Sequence, residues 1–180
     1  MNIKFEKAGL AHIDTIFSWL SEPHMMEFWD NSQEHKDDLL NFIHTRKQHR
    51  YSGTTKYWVG LMDNEPYSFI LSDVLQEAED LPDIYRKYMS KSGHTIGIDF
   101  SIGNKKYLGR GLAAPTLDAF IEFYKDSIDA SADTFFIDPD KNNPRARHVY
   151  SKAGFNLVGE FEVQAGPFRG YINHLLVKKS

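Results

Sequence analysis

One stretch constrains this chain more than any other: a strand pattern runs without a break into a glycine-bearing loop and then into a helix pattern. Ile96, Ile98, Phe100 and Ile102 alternate with Thr95, Gly97, Asp99 and Ser101, the period-2 signature of a strand over 95–102. Leu112, Leu117, Phe120, Ile121 and Tyr124 then recur at helical spacing as far as Ser127. Between the two patterns lies Lys106-Tyr107-Leu108-Gly109-Arg110-Gly111-Leu112-Ala113. The first N–H groups of a helix have no partner inside the helix, and the two glycines leave them unobstructed. A helix start of this kind attracts phosphate, and Lys106 and Arg110 add positive charge beside it. A tight strand-to-helix connection is the other reading of two closely spaced glycines. The loop matches neither the P-loop nor the G-x-G-x-x-G dinucleotide fingerprint, because the residue three after Gly111 is Ala114, so ATP and NAD recede as ligands.

At 180 residues the chain suits one domain spanning 1–180, with one active site. The 25 acidic and 21 basic side chains give a net charge of −4, which supplies no broad basic surface for nucleic acid. The absence of cysteine excludes a disulfide framework, a thiolate zinc site and a cysteine nucleophile. None of the eight histidines stands at metal-ligand spacing with a nearby carboxylate, so no metal is expected; His24 falls in the 21–30 loop. No apolar run reaches the length of a signal peptide core or a membrane span, and the expectation is a cytoplasmic protein that touches no membrane.

The remaining patterns read as alternating strands and helices. Residues 3–5 suggest a strand and residues 11–20 a helix, residues 21–30 with Pro23 as a helix breaker read as a loop, and an amphipathic helix is expected over 33–50. Residues 57–62 and 67–74 flank the turn composition of Asp63, Asn64, Glu65 and Pro66, a hairpin. The 75–83 segment carries Glu77, Glu79, Asp80 and Asp83 with no compensating lysine or arginine, and a short helix follows over 84–92. Residues 134–137 form a strand ended by Asp138 and Pro139. Asn143 and Pro144 start a helix that Gly154 closes, and 157–164 and 171–177 form a final hairpin.

Two ordered motifs give the chain a family resemblance. The loop Lys106–Gly111 resembles the Q/R-x-x-G-x-G/A signature of the GNAT acetyltransferase superfamily, with lysine at the usual glutamine or arginine. Asn143-Pro-Arg-Ala-Arg-His-Val-Tyr-Ser-Lys-Ala-Gly-Phe155 is similar to the N-x-x-A-x-x-x-Y-x-K-x-G-F pattern of that superfamily at every fixed position. The resemblance implies an α+β, α/β/α-layered fold around a mixed, splayed sheet of about seven strands. It also implies acetyl-CoA in the cleft between the fourth and fifth strands. Over most of the chain a narrower likeness runs through Trp19–Trp29, Ile96–Asp99 and Ile137–Asp140 to aminoglycoside 6′-N-acetyltransferases. Siderophore-biosynthesis acyltransferases, which acylate N-hydroxylysine-type amines, share these features.

The resemblance assigns Ile102, Lys106, Tyr107, Leu108, Gly109, Arg110, Gly111, Leu112, Ala113, Asn143 and Tyr150 to the cofactor. It gives Tyr150 the general-acid role on the departing thiolate; a core tyrosine beside Val149 and Phe155 is the plainer reading. Asn143 suits a helix N-cap as well as a cofactor contact. Asp99 lies on the polar face of its strand, where it either holds or deprotonates an ammonium group or simply faces solvent; aspartate is disfavoured in strands, which asks for a reason. Asp138 is either an acceptor-binding carboxylate, as the narrower likeness implies, or a turn residue before Pro139. Phe28 and Trp29 suit an acceptor wall or core packing. The implied reaction is direct acetyl transfer to an amine of a small cationic acceptor by a monomer or homodimer. A protein amine as acceptor, or a non-catalytic CoA-binding module, are the alternatives.

Overall fold

A computed structural model describes residues 2–49, 53–78 and 81–180. Its strands are β1 (Ile3–Lys7), β2 (Lys56–Met62), β3 (Glu65–Leu75), β4 (His94–Ile102), β5 (Ala132–Ile137), β6 (Asn156–Glu162) and β7 (Ile172–Lys179). The helices are α1 (Ile13–Leu20), α2 (Pro23–Met26), α3 (Gln33–Ile43), α4 (Asp83–Tyr88), α5 (Ala113–Ser127) and α6 (Pro144–Lys152). The seven strands follow the order β1-β2-β3-β4-β5-β7-β6, parallel at β4–β5 and antiparallel at β1–β2, β2–β3, β5–β7 and β7–β6. This is the mixed α+β sheet of seven strands that the family resemblance implies. The chain divides into two compact units, Met1–Asp73 with Asp99–Ala119, and Val74–Ile98 with Phe120–Ser180. Among the described residues no helix is long and apolar enough to cross a membrane.

In the first unit, Ile16 and Leu20 of α1, Met25 of α2 and Leu39 of α3 bury against Tyr57, Val59, Phe69 and Leu71 of β2 and β3. Both faces of β2 are largely buried, which is why it reads as a near-continuous apolar run and not as an alternation. Its hairpin with β3 turns on two residues, Asp63 and Asn64, at φ 50° and 70°. Those are the residue types that tolerate the left-handed region of a tight hairpin turn. Glu65 and Pro66, assigned to the turn from composition, are already strand. Pro66 pairs with Leu61 where the register shifts between Gly60 and Leu61, Tyr67 of β3 being the extra residue, a position at which a missing N–H costs the ladder little.

In this unit the 21–30 and 33–50 readings differ from the sequence expectation. Residues 21–30, expected as a loop, contain α2: α1 ends at Leu20 ahead of Pro23, which then occupies the first turn of α2, where its fixed φ suits a helix start. The helix expected over 33–50 stops at Ile43, because Thr45 adopts φ 53° and Asp38 Oδ1 accepts the His49 backbone N–H at 2.8 Å, folding the following segment back along α3. Arg50, the expected end, lies outside the described residues.

The second unit opens with β4 and β5 in parallel register from His94↔Ala132 to Gly97↔Phe136, while β4 runs on to Ile102. Phe136, Leu175 and Val177 form a core covered by Ile84, Tyr85, Tyr88, Val158 and Phe161. Tyr85 meets both Phe136 and Phe161 edge-on, at 5.3 and 5.1 Å between ring centroids. The helix expected over 84–92 is the shorter α4, with Pro82 at its N-cap and an extended Met89 at its end.

Candidate active site

The glycine loop belongs to the first unit and is held from its first residue onward. A Cβ on Gly103 would lie 2.2 Å from Trp19 Cδ2, so only glycine lets the chain pass the indole there. The Gly103 and Asn104 N–H groups both donate to the Tyr67 carbonyl, at 3.0 and 3.1 Å. Asn104 accepts from the Lys106 N–H with its side-chain oxygen at 3.0 Å, capping a single 3₁₀ turn over Lys105–Tyr107 that the sequence pattern did not show. Gly109 and Gly111 follow at φ 73° and 71°, with no atom within 4 Å of where a Cβ would stand. The Leu112 carbonyl accepts the first α5 bond from Thr116 N–H at 2.9 Å, so the N–H groups of the opening turn have no partner within the helix.

The cations of this loop are not equivalent. Lys105 pairs with Glu22, and Lys106 Nζ donates to Glu65 Oε2 at 2.7 Å, so the charge that Lys106 was expected to add beside the helix start is tied to a carboxylate. The same oxygen accepts from the Tyr107 hydroxyl at 2.5 Å. The Lys106 and Tyr107 bonds hold the Glu65 carboxyl below the usual range; in turn Glu65 raises both Lys106 and Tyr107, so lysine stays charged and phenol protonated. Arg110 forms no ion pair among the described residues and lies 5.7 Å from the Tyr107 ring centroid. Two open glycines, a helix start and a free guanidinium together fit a pyrophosphate.

Around the loop, Ile102 is buried and its carbonyl accepts from His24 Nε2 at 3.0 Å, which joins α2 to the end of β4. Leu108, Leu112 and Ala113 are half-buried. Asp99 is exposed on β4 between buried Ile98 and Phe100, as the alternation required. Trp29 packs on the first core with its ring 5.3 Å from Phe69, whereas Phe28 is half-buried and outside that cluster.

The second unit carries Asn143, Tyr150 and Asp138. Asn143 is the N-cap of α6, its Oδ1 accepting from Ala146 N–H at 3.0 Å with Pro144 in the first turn. Tyr150 is 8% exposed, its ring 6.5 Å from Phe155. Asp138, directly after β5, is half-buried; burial raises its carboxyl to about 6 against the hydrogen bonds it accepts from Asn173 and Tyr85. Asn173 Nδ2 bridges the Asp138 carboxylate and carbonyl at 2.9 and 2.8 Å. An asparagine within a strand was the available signal for Asn173, and it was missed. One carboxylate of the acidic segment is paired: Arg86, three residues beyond Asp83 in α4, bonds it at 2.6 Å and donates to the Ala78 carbonyl. Glu79 and Asp80 lie outside the described residues.

Comparison with known proteins agrees with the fold. The acetyltransferase (GNAT) domain family matches residues 9–163. An aminoglycoside N(6′)-acetyltransferase type 1 of Klebsiella pneumoniae is 27% identical over 157 residues, 84% of this chain and 73% of the relative. The crystal structure of an aminoglycoside N(6′)-acetyltransferase from Legionella pneumophila superposes with a TM-score of 0.76 at 21% identity, covering 99% of this chain and 94% of that one. A structure of AAC(6′)-Ib in complex with coenzyme A and kanamycin gives 0.74 at 20% identity, covering 99% and 95%. At such identities the two structures establish the fold. With the family match spanning most of the sequence and the loop built as described, the chain belongs to the GNAT acetyltransferase family, whose acetyl donor is acetyl-coenzyme A.

Proposed function

We propose that this enzyme transfers the acetyl group of acetyl-CoA directly to an amine of a small cationic acceptor, the 6′-amine of an aminoglycoside. The likeness over 84% of the chain to a Klebsiella aminoglycoside N(6′)-acetyltransferase carries the acceptor assignment. Asp99 and Asp138, carboxylates on the two strands that the narrower resemblance singles out, support a cationic acceptor. We read residues 1–180 as one catalytic domain, since β3, β4 and α5 each contribute residues to both compact units.

In this reading the N–H groups at Gly109 and Gly111, the α5 start and Arg110 hold the pyrophosphate, with Ile102, Lys106, Tyr107, Leu108, Leu112, Ala113 and Asn143 completing the cofactor contacts. Asp99 takes a proton from the acceptor ammonium, freeing its lone pair for attack on the thioester carbonyl. A backbone N–H of β4 stabilises the oxyanion. The C–N bond forms as the C–S bond breaks, and the Tyr150 hydroxyl protonates the departing thiolate. Asp138 holds a second ammonium of the acceptor, and Phe28 flanks it. For Trp29 the packing on Phe69 leaves at most an edge for the acceptor, and its main work is in the core.

A thiol-release assay tests the assignment. Aminoglycosides with a free 6′-amine should liberate CoA in steady state, and analogues with a 6′-hydroxyl should not. Turnover of N6-hydroxylysine with none of any aminoglycoside would move the enzyme to siderophore assembly.

A further inference from the structure

The contacts that shape the cofactor loop converge on three consecutive residues that belong to neither sequence motif. Glu65 accepts from Lys106 Nζ and from the Tyr107 hydroxyl, at 2.7 and 2.5 Å. The Pro66 carbonyl accepts from Asn104 Nδ2 at 3.3 Å. The Tyr67 carbonyl takes the N–H groups of Gly103 and Asn104, and the Tyr67 ring lies 5.3 Å from the ring of Tyr107. Beyond the glycines, the Tyr67 hydroxyl hydrogen-bonds Thr116 Oγ1 at 2.7 Å, and that hydroxyl donates to the Leu112 carbonyl at 2.6 Å. Both ends of the 103–112 loop are therefore fixed on the first three residues of β3, and the segment left open between them is the one carrying Gly109, Arg110 and Gly111.

A carboxylate close to a pyrophosphate site is at first sight unfavourable, because it repels the ligand. Here its geometry offsets that cost. By accepting from two successive side chains, Glu65 fixes the Tyr107 ring, and the face of that ring carries the Arg110 guanidinium. Arg110 is thereby held at the loop with no carboxylate of its own among the described residues.

We propose that Glu65 is a positioning residue for acetyl-CoA: through Lys106 and Tyr107 it holds the glycine loop and Arg110 in the conformation that receives the pyrophosphate. The assignment rests on the loop being the acetyl-CoA site. Glu65 touches no reacting atom, so its removal should change the affinity for one substrate only.

Calorimetric titration with acetyl-CoA, paired with steady-state kinetics, tests this on the full chain. Glu65→Ala should weaken acetyl-CoA binding about tenfold and raise its KM in parallel. At saturating acetyl-CoA, kcat and the acceptor KM should stay at wild-type values. Glu65→Gln keeps an accepting oxygen at the same reach and should recover most of the affinity. Tyr107→Phe removes one donor alone and should weaken binding severalfold; it serves as the second variant if Glu65→Ala does not fold. Unchanged or tighter acetyl-CoA binding by folded Glu65→Ala and Tyr107→Phe overturns the proposal while leaving the loop assignment intact. Failure of the wild-type chain to bind acetyl-CoA overturns both.

Discussion

Substitution at Gly111 separates two reasons for a glycine that normally come entangled. Its φ of 71° penalises any side chain, and the space where a Cβ would stand holds no protein atom within 4 Å. The folded protein alone therefore charges Gly111→Ala only for backbone strain, about 1–2 kcal/mol for a residue with a Cβ in the left-handed region. In a chain of this length that corresponds to a fall of about 2–8 °C in Tm. Asparagine enters the same region more readily, since its short polar side chain bonds locally, so Gly111→Asn should lose less stability than Gly111→Ala. If the empty space is kept for pyrophosphate, acetyl-CoA affinity must follow side-chain bulk instead. The expected order of Tm is Gly, Asn, Ala, and the expected order of affinity is Gly, Ala, Asn, with at least about a tenfold loss, ~1.4 kcal/mol, for Ala. Thermal unfolding without ligand and calorimetric titration with acetyl-CoA give the two orders. Should affinity fall in the same order as stability, the open space at Gly111 has no role in binding the donor.

Three further outcomes follow from the second unit and from β4. Tyr150→Phe should lower kcat by about 10²-fold with acetyl-CoA affinity unchanged; a wild-type rate under conditions where chemistry limits would remove Tyr150 as the acid. Asp138 holds its proton up to about 6 in the fold against 3.8 when free, so its contribution to stability is fully present at low pH and is lost as pH rises between those values. If its carboxylate holds an ammonium, kcat/KM for the acceptor should climb through pH about 6, and Asp138→Asn should flatten that limb while raising Tm at pH 8. An unaltered profile in the variant would assign the limb to another group. Asp99→Asn should depress turnover with little effect on acetyl-CoA binding; equal turnover would leave Asp99 a solvent-facing strand residue.

What the sequence disclosed was set by how far apart the interacting residues lie along the chain. The alternation of β4 and the apolar spacing of α5 are local, and so is the Asn143 cap, whose acceptor reaches only three residues ahead. These were legible, and they locate the glycine loop, Tyr150 and the exposed face of Asp99. Glu65 meets Lys106 across 41 residues and Asn173 meets Asp138 across 35, and no periodicity encodes such pairs. The end of α3 was hidden for the same reason, since it depends on Asp38 capturing the His49 N–H from eleven residues away. Composition misassigned Glu65 and Pro66 because turn residues and bulge residues look alike until the partner strand shows its register.

The hairpin that precedes Glu65 restricts how this chain can change in length. A two-residue turn at Asp63 and Asn64 is an exposed surface tip, ordinarily a place where insertions and deletions pass unnoticed. Here one added residue, where the turn does not take it up as a longer loop, would slip β3 by one position against β2 and carry Glu65 to the opposite face of the sheet. Lys106 and Tyr107 would lose their shared partner in a single event, although neither had been altered. The tip between β6 and β7 imposes no such penalty, because Gly166 and Gly170 have open space around them and no anchor of the glycine loop follows in register. An inserted tag or a grafted peptide should therefore be accepted near Gly166, and a descendant that gained one codon between Asp63 and Asn64 should lose its hold on the acetyl donor before it lost its fold.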